Sequence, residues 1–292
     1  MASRAPETRR QHTSLSVLFV GGLIVLSMLF SACGSSTSTT STVDLITPGT
    51  LTVGSDTTYP PQEYIDTTTG QPVGFDVDLI TAIAQRMGLK AKVVTTGFDT
   101  IIDSLSARRF DVVISAITIN DERKKKVDFV PYLKAGESLL VQKGNPKNLK
   151  SVDDLCGLNV GVQNGTVEHS DLTIADKACK TKGKPGINLT ILQNQTDVVQ
   201  LLVTGRVVAT YQDSPLTVYY LKQHPGQFEV GGSVVNATPE GIAIRKDDSA
   251  MLNAIQTAFN QLKADGSYHK LILKWGLTNE ELTLIDHRSL YV

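Results

Sequence analysis

The sequence predicts an α/β protein of two lobes joined by a two-stranded hinge, and three observations point to it. From Leu51 onward, short β-branched runs alternate with segments of helical periodicity, the mark of α/β units with a largely parallel sheet. The pattern restarts at Leu158: Asp99 and Arg108, eight residues between them and a strand behind, are matched by Asp197 and Arg206, a weak internal repeat. The chain then ends in helical segments that are expected to return to the first lobe. Two crossings follow, near Lys134–Ser138 and Thr238–Gly241. One lobe is thereby placed at 47–136 plus 241–292 and the other at 137–240.

Each element has its own signal. In the first unit, LTVGSD (51–56) is a strand and FDVDLITAIAQRMG (75–88) a helix closed by Gly88; KAKVVTT (90–96) is a strand, FDTIIDSLSARR (98–109) a helix and DVVISAITI (111–119) a strand. Apolar residues recur every three to four positions in the helices and are β-branched in the strands. In the second unit the strands are LNVGVQ, NLTILQN and VVATYQ, separated by helices from Thr166 to Cys179 and from Thr196 to Arg206. EGIAIRKD (240–247) is a further strand. The amphipathic tail from Ser249 is broken at Gly266 and ended by Gly276. Trp275, alone at the end of an apolar helix, reads as packing.

Composition excludes some function classes. A chain of 292 residues with 41% hydrophobic content and a net charge of -1 lacks the basic surface that nucleic-acid backbones require. Lys124–Lys126 are flanked by Asp121, Glu122 and Asp128 and read as a solvated helix face. His12, His224, His269 and His287 have no ligand spacing, so neither a metal nor a cofactor is expected.

The N-terminus carries an address. Arg4, Arg9 and Arg10 precede an apolar run from Leu15 to Phe30, followed by Ser31, Ala32 and Cys33, the layout of an export signal over 1–32. LFSACG resembles the lipobox of bacterial lipoproteins, which implies that Cys33 is lipidated and anchors the chain to a membrane. The Ser/Thr tract that follows, within 33–46, is expected to be a flexible tether reaching roughly 15 to 20 Å. An extracytoplasmic body is oxidising territory, so the remaining pair, Cys156 and Cys179, is expected to form a disulfide.

The segment ISAITINDERKKK (114–126) raises the question of function. Asn120 reads as a helix N-cap with Asp121 and Glu122 in the first turn. Arg123 then sits at the positive end of the helix dipole, which is unfavourable unless an anion lies in front of it. In open α/β sheets ligands bind beyond the carboxyl ends of the strands, and the polar residues there are Asp56, Tyr59, Ser115, Thr118, Arg123, Gln163, Gly165, Thr166, Val167 and Asp213. Arg123 offers a planar fork for a carboxylate, aided by backbone N–H groups of Asn164–Thr166. Asp213 offers an acceptor for an ammonium. The competing readings are an Arg123 ion pair with Glu122 or Asp128, and an Asp213 that caps its own helix. A carboxylate clamp with an ammonium acceptor is the recognition pattern for an α-amino acid.

VGSDTTYPPQEY, GFDVDLITAIAQRMG, AITINDERKK, NVGVQNGT, YQDSPL and GSYHKLILKWGL resemble the polar-amino-acid-binding proteins of bacterial ABC importers. The resemblance implies a periplasmic-binding-protein-like fold of type II, a free amino acid as ligand, a membrane permease as partner and a monomer. It implies that Arg123 holds the ligand carboxylate, that Asp213, Thr118 and the backbone near Ser115 and Ala116 take the ammonium, that Tyr59 and Phe98 bracket the side chain, and that Asp56 reads its tip. A cysteine pair like Cys156 and Cys179 is also a feature of lipoprotein members. Val167 and Gln62 depart from the family pattern. With Asp56 left over after Arg123 and Asp213 neutralise a zwitterion, arginine, lysine, histidine or glutamine is the expected ligand. The resemblance extends to dehydratases of prephenate type, whose general acid would have to be Glu168 or His169. Glu168 is read instead as a dipole partner in the first turn of its helix.

Overall fold

The computed structural model describes residues 43–282. The export signal, Cys33, most of the tether, His12 and His287 lie outside the described residues. In chain order, β1 (Thr50–Ser55) leads to a small antiparallel sheet of β2 (Thr58–Tyr59), β3 (Glu63–Ile65) and β4 (Pro72–Val73), then to α1 (Phe75–Arg86) and β5 (Lys90–Thr95). Next come a 3-10 turn (Phe98–Thr100), α2 (Ile101–Ser106), β6 (Val112–Val113), α3 (Asp121–Lys124) and β7 (Val127–Gln142). A second 3-10 turn (Val152–Leu155) precedes β8 (Asn159–Gln163), α4 (Val167–Thr181), β9 (Asn188–Leu192), α5 (Gln195–Val203), β10 (Ala209–Asp213), α6 (Ser214–Gln223), β11 (Phe228–Arg245), α7 (Ser249–Ala264) and α8 (Ser267–Trp275).

The main sheet has eight strands in the order β5-β1-β6-β11-β7-β10-β8-β9. Parallel pairs at either end, β1 with β5 and β6, β8 with β9 and β10, are the predicted α/β units. At the centre, β7 and β11 pair antiparallel from Val127 opposite Arg245 to Gln142 opposite Phe228, and the segments expected to cross, near Lys134–Ser138 and Thr238–Gly241, fall inside these two strands. Register shifts near Gly231–Val235, Val235–Thr238 and Glu240–Gly241 bend this ribbon. At Gly136 a Cβ would lie 2.5 Å from Val234 Cγ1 and 2.7 Å from Val235 O, so only glycine lets the two strands approach there.

The expected strand over Asp111–Ile119 is shortened to Val112–Val113. After Ile114 the chain turns, with Ala116 at φ 43°, while Ile114, Ile117 and Ile119 stay buried. Their β-branched character reports burial rather than an extended ladder.

Two sets of cores support the two ends of the sheet. Leu51, Val53, Phe75, Leu79, Ile80 and Ile83 pack with Met251, Ile255, Phe259 and Ile272, so the tail does return to the first unit. The apolar stripe of α1 is the one its periodicity predicts. Leu139, Val141, Val160, Val162, Leu172 and Cys179 form a separate cluster. Cys156 and Cys179 are disulfide-bonded with Cα atoms 5.6 Å apart, and closing that loop contributes about 3 kcal/mol in the chain-entropy model. Trp275 is a packing residue: its Nε1–H donates to Asp78 Oδ2 at 2.7 Å and its ring meets Tyr64 edge-on. No helix among the described residues is long and apolar enough to cross a membrane.

Candidate functional site: a bipolar cleft

The carboxyl ends of β1, β6, β8 and β10 converge on one cleft, as strand-end logic requires. It is enclosed by Tyr59, Phe98, Ser115, Ala116, Thr118 and Arg123 on one side and by Gln163, Thr166, Val167, Glu168 and Asp213 on the other. Asp56 and Gly165 stand at its edge through bonds to Gln163 and Arg123.

Arg123 is set by local structure. Asn120 Oδ1 accepts from the Arg123 backbone N–H at 2.9 Å, so the predicted cap is present. The guanidinium donates from Nη1 to Thr118 O at 2.7 Å and from Nη2 to Gly165 O at 3.2 Å, and its Cζ lies 5.3 Å from the centre of the Phe98 ring. Glu122 pairs with Lys125 and Asp128 with Lys246, so neither holds Arg123. Among the described residues, two of its five N–H groups are used on carbonyls. Burial lowers the pKa of the guanidinium, and the nearby Glu168 and Asp213 oppose that shift.

Asp213 does not cap α6 with its side chain. Tyr59 Oη–H donates to Asp213 Oδ2 at 2.9 Å, and the Asp213 N–H donates to Tyr59 Oη at 3.0 Å. Burial lifts its pKa to about 6, against the Tyr59 hydrogen bond and the Arg123 charge. Tyr59 therefore bonds Asp213 as well as walling the cleft. Asp56 accepts from Thr58 Oγ1 at 2.9 Å and from Gln163 Nε2; burial raises it too, to about 6.

Several donors around the cleft are already engaged. Ala116 N–H donates to Asp76 Oδ2 at 3.0 Å, and Ser115 Oγ–H donates to Glu63 Oε1 at 2.9 Å. Asn164 N–H goes to Leu192 O, which removes it from the anion-binding set. Thr166 Oγ1 donates to Gln163 O and caps α4 by accepting from His169 N–H. What is left at the start of α4 is backbone, as the hydrocarbon side chain of Val167 dictates. Gln62 is fully buried and does not line the cleft.

The walls meet closely, leaving an internal void of about 10 Å³. Beyond Arg123 and Phe98 lies an outer opening of about 330 Å³ floored by Ile101, Ile102 and Ile117. A void of that size cannot hold an amino acid, so the two walls must move apart to admit one. Gly165 makes this close meeting possible: φ is +81°, and a Cβ there would lie 2.8 Å from Asp99 Cα. Because that clash arises only where the walls meet, Gly165→Ala is expected to weaken ligand affinity roughly tenfold or more, measured by calorimetry. An unchanged affinity would show that the two walls need not touch.

Sequence reasoning missed the density of buried acid around the cleft. Glu168, placed by the sequence in the first turn of α4, is there, but it is also 2% exposed and lines the cleft. Glu63, Asp76 and Glu240 are buried as well. Burial is the first cause in every case: Asp76 rises to about 6, and Glu63, Glu168 and Glu240 rise well above the carboxylate range. The folded chain thus keeps protons that the unfolded chain releases near the usual value of about 4. Between that value and about 6 or above, the unfolded state binds fewer protons, so stability falls as pH rises. The thermal midpoint without ligand is expected to be higher at pH 5 than at pH 7.5; a midpoint that climbs across this range would contradict it.

A family model for bacterial extracellular solute-binding proteins, family 3, matches residues 51–278. The chain belongs to this family. The lysine/arginine/ornithine-binding periplasmic protein of Escherichia coli (strain K12) is 34% identical to this solute-binding protein over 261 residues, covering 87% of this chain and 95% of that one. The L-cystine-binding protein of the same strain is 33% identical over 228 residues, covering 78% and 82%. Among solved structures, an ancestral arginine-binding protein bound to arginine superposes with a TM-score of 0.72 at 39% identity, covering 78% of this chain and 98% of that one. An ancestral amino acid-binding protein that is a precursor of cyclohexadienyl dehydratase gives 0.67 at 39% identity, covering 78% and 95%. The two-lobed type II fold expected from the sequence is the fold of these neighbours. Among the described residues no group of three potential ligands could hold a metal ion.

Proposed function

We propose that this solute-binding protein captures a free α-amino acid with a cationic or amide side chain between its lobes and delivers it to an ABC permease. The observation that carries the reading is the convergence of Arg123 and Asp213, from opposite walls, on one enclosed cleft. Arg123 takes the α-carboxylate, with the α4 backbone assisting. Asp213 and Thr118 take the α-ammonium. Asp56, beside Gln163, is the acid left over, and a buried carboxylate favours a ligand group that donates to it. The names of similar proteins bound to lysine, arginine and ornithine, or to arginine, agree with that charge count.

Ligand bridging stabilises the closed arrangement by the difference in its affinity for the two states, and the β7–β11 ribbon is the element that bends. The lobes are taken as 47–136 plus 241–292 and 137–240, the chain as a monomer, and the anchor as a lipid on Cys33. Calorimetric titration against the twenty amino acids is the test: tight binding of arginine, lysine, histidine or glutamine is expected, and tight binding of glutamate without arginine or glutamine refutes the reading.

A dehydratase on the same scaffold is the second reading, favoured by the buried acid Glu168 in the cleft and by the neighbour that is a dehydratase precursor. Such an enzyme consumes prephenate, whereas a binding protein leaves its absorbance unchanged.

A further inference from the structure

Glu168 has no part in the recognition scheme above, yet it occupies its centre. It is the second residue of α4, it lines the cleft with Asp213 and Arg123, and one of its oxygens, Oε1, finds no donor. Its carboxyl group and that of Asp213 are both buried and line the same closed cleft. Two carboxylates buried together in so small a cleft oppose each other's ionisation, so the pair is expected to keep one proton.

We propose that Glu168 is a positioning residue of the ligand site that works as a neutral carboxylic acid, its O–H donating to Asp213 and holding that carboxylate charged and aimed at the ligand ammonium. The proposal rests on the amino-acid-binding reading. Geometry decides which partner keeps the proton. Asp213 already accepts from Tyr59 Oη–H at 2.9 Å and has the Arg123 guanidinium in its field, and both favour its ionised form. Glu168 instead lies in the field of further acids, Glu137 from β7 and Glu240 from β11, and Glu137 is in turn influenced by Asp171 of α4. Tyr59 from β2 and Tyr211 from β10 also face it, and Arg123 from α3 is the cation in its field.

Charge balance requires the pair to keep a proton. With one of the two acids neutral, Arg123 cancels the other, a zwitterionic backbone adds nothing, and Asp56 alone is left for the ligand side chain. With both ionised, the cleft would carry a second uncompensated buried negative charge beside the ligand, which is strongly unfavourable. A carboxylic acid kept neutral so that it can donate is a known device of apolar sites.

The test pairs two variants with one spectroscopic signal. Glu168→Gln keeps a donor of the same shape and is expected to bind the wild type's tightest amino acid within about threefold. Glu168→Leu removes the donor, and its affinity is expected to fall roughly tenfold to a hundredfold. In protein with ¹³C-labelled glutamate, the Glu168 carboxyl signal, assigned by its absence from Glu168→Gln, is expected to stay in the protonated position through pH 7. A glutamine variant as weak as the leucine variant, a leucine variant as tight as wild type, or a carboxyl that has titrated by pH 6 would each overturn the proposal. Should Glu168→Leu fail to fold, the glutamine variant and the carboxyl signal decide. A wild type that binds no amino acid would defeat the functional reading instead, and the carboxyl signal would still decide whether the pair holds its proton.

Discussion

Replacing Arg123 with alanine should lower affinity for the tightest amino acid by roughly a hundredfold or more while leaving the fold in place. Truncating one member of a buried, hydrogen-bonded charge pair costs about 2–5 kcal/mol, much of it the penalty of stranding the other charge, here the ligand carboxylate. Arg123 sits on the four-residue helix α3, donates to two carbonyls, Thr118 O and Gly165 O, and lies over the Phe98 ring; these are contacts of the cleft, and its loss leaves the apolar cores intact. Arg123→Lys should rescue only in part, because an ammonium cannot reproduce a planar fork that bonds two carbonyls and a carboxylate at once. Calorimetry measures the loss, and a thermal melt shows that folding survives. Binding that is unchanged in the alanine variant would mean the carboxylate is held elsewhere.

Asp213→Asn should be nearly as damaging, from the opposite wall. The amide keeps the shape and can still accept from Tyr59 Oη–H, so the folded structure is expected to persist. What disappears is the one charge that opposes the α-ammonium, again a loss of about 2–5 kcal/mol. Because Arg123 and Asp213 grip two ends of the same small molecule, the double variant should lose less than the sum of the two single losses. Additive losses would indicate two independent sites.

Much of the cleft was legible because strand-end residues in an α/β protein have few places to go. Arg123 stood out as a cation at the wrong end of a helix, and Asp213 as an acid closing a strand, and the structure brings both to one crevice. The helix α1 was legible for a simpler reason: Phe75, Leu79, Ile80 and Ile83 form an unbroken stripe, and all are buried.

The failures have physical causes as well. The long strands β7 and β11 contain Pro131 and Gly136, and Gly231, Gly232 and Pro239, residues that read as turn signals. The ribbon absorbs them through register shifts, which leave no mark in the sequence. Val112–Ile119 misled in the opposite sense, since a run of β-branched residues is equally suited to a buried turn. Glu168 is in the first turn of α4 as expected, but its place in the cleft was not legible, because a first-turn acid gives the same sequence signal whether it faces solvent or a cleft. Only the tertiary approach of α4 to β10 separates the two.

The most direct test of the bipolar cleft alters the ligand rather than the protein. The tightest amino acid from the screen is titrated calorimetrically beside its decarboxylated amine and its deaminated acid, which keep the side chain and lose one end each. Both analogues are predicted to bind at least roughly a hundredfold more weakly, one for want of the group Arg123 holds and the other for want of the group Asp213 holds. Either analogue binding as tightly as the parent amino acid would contradict the account.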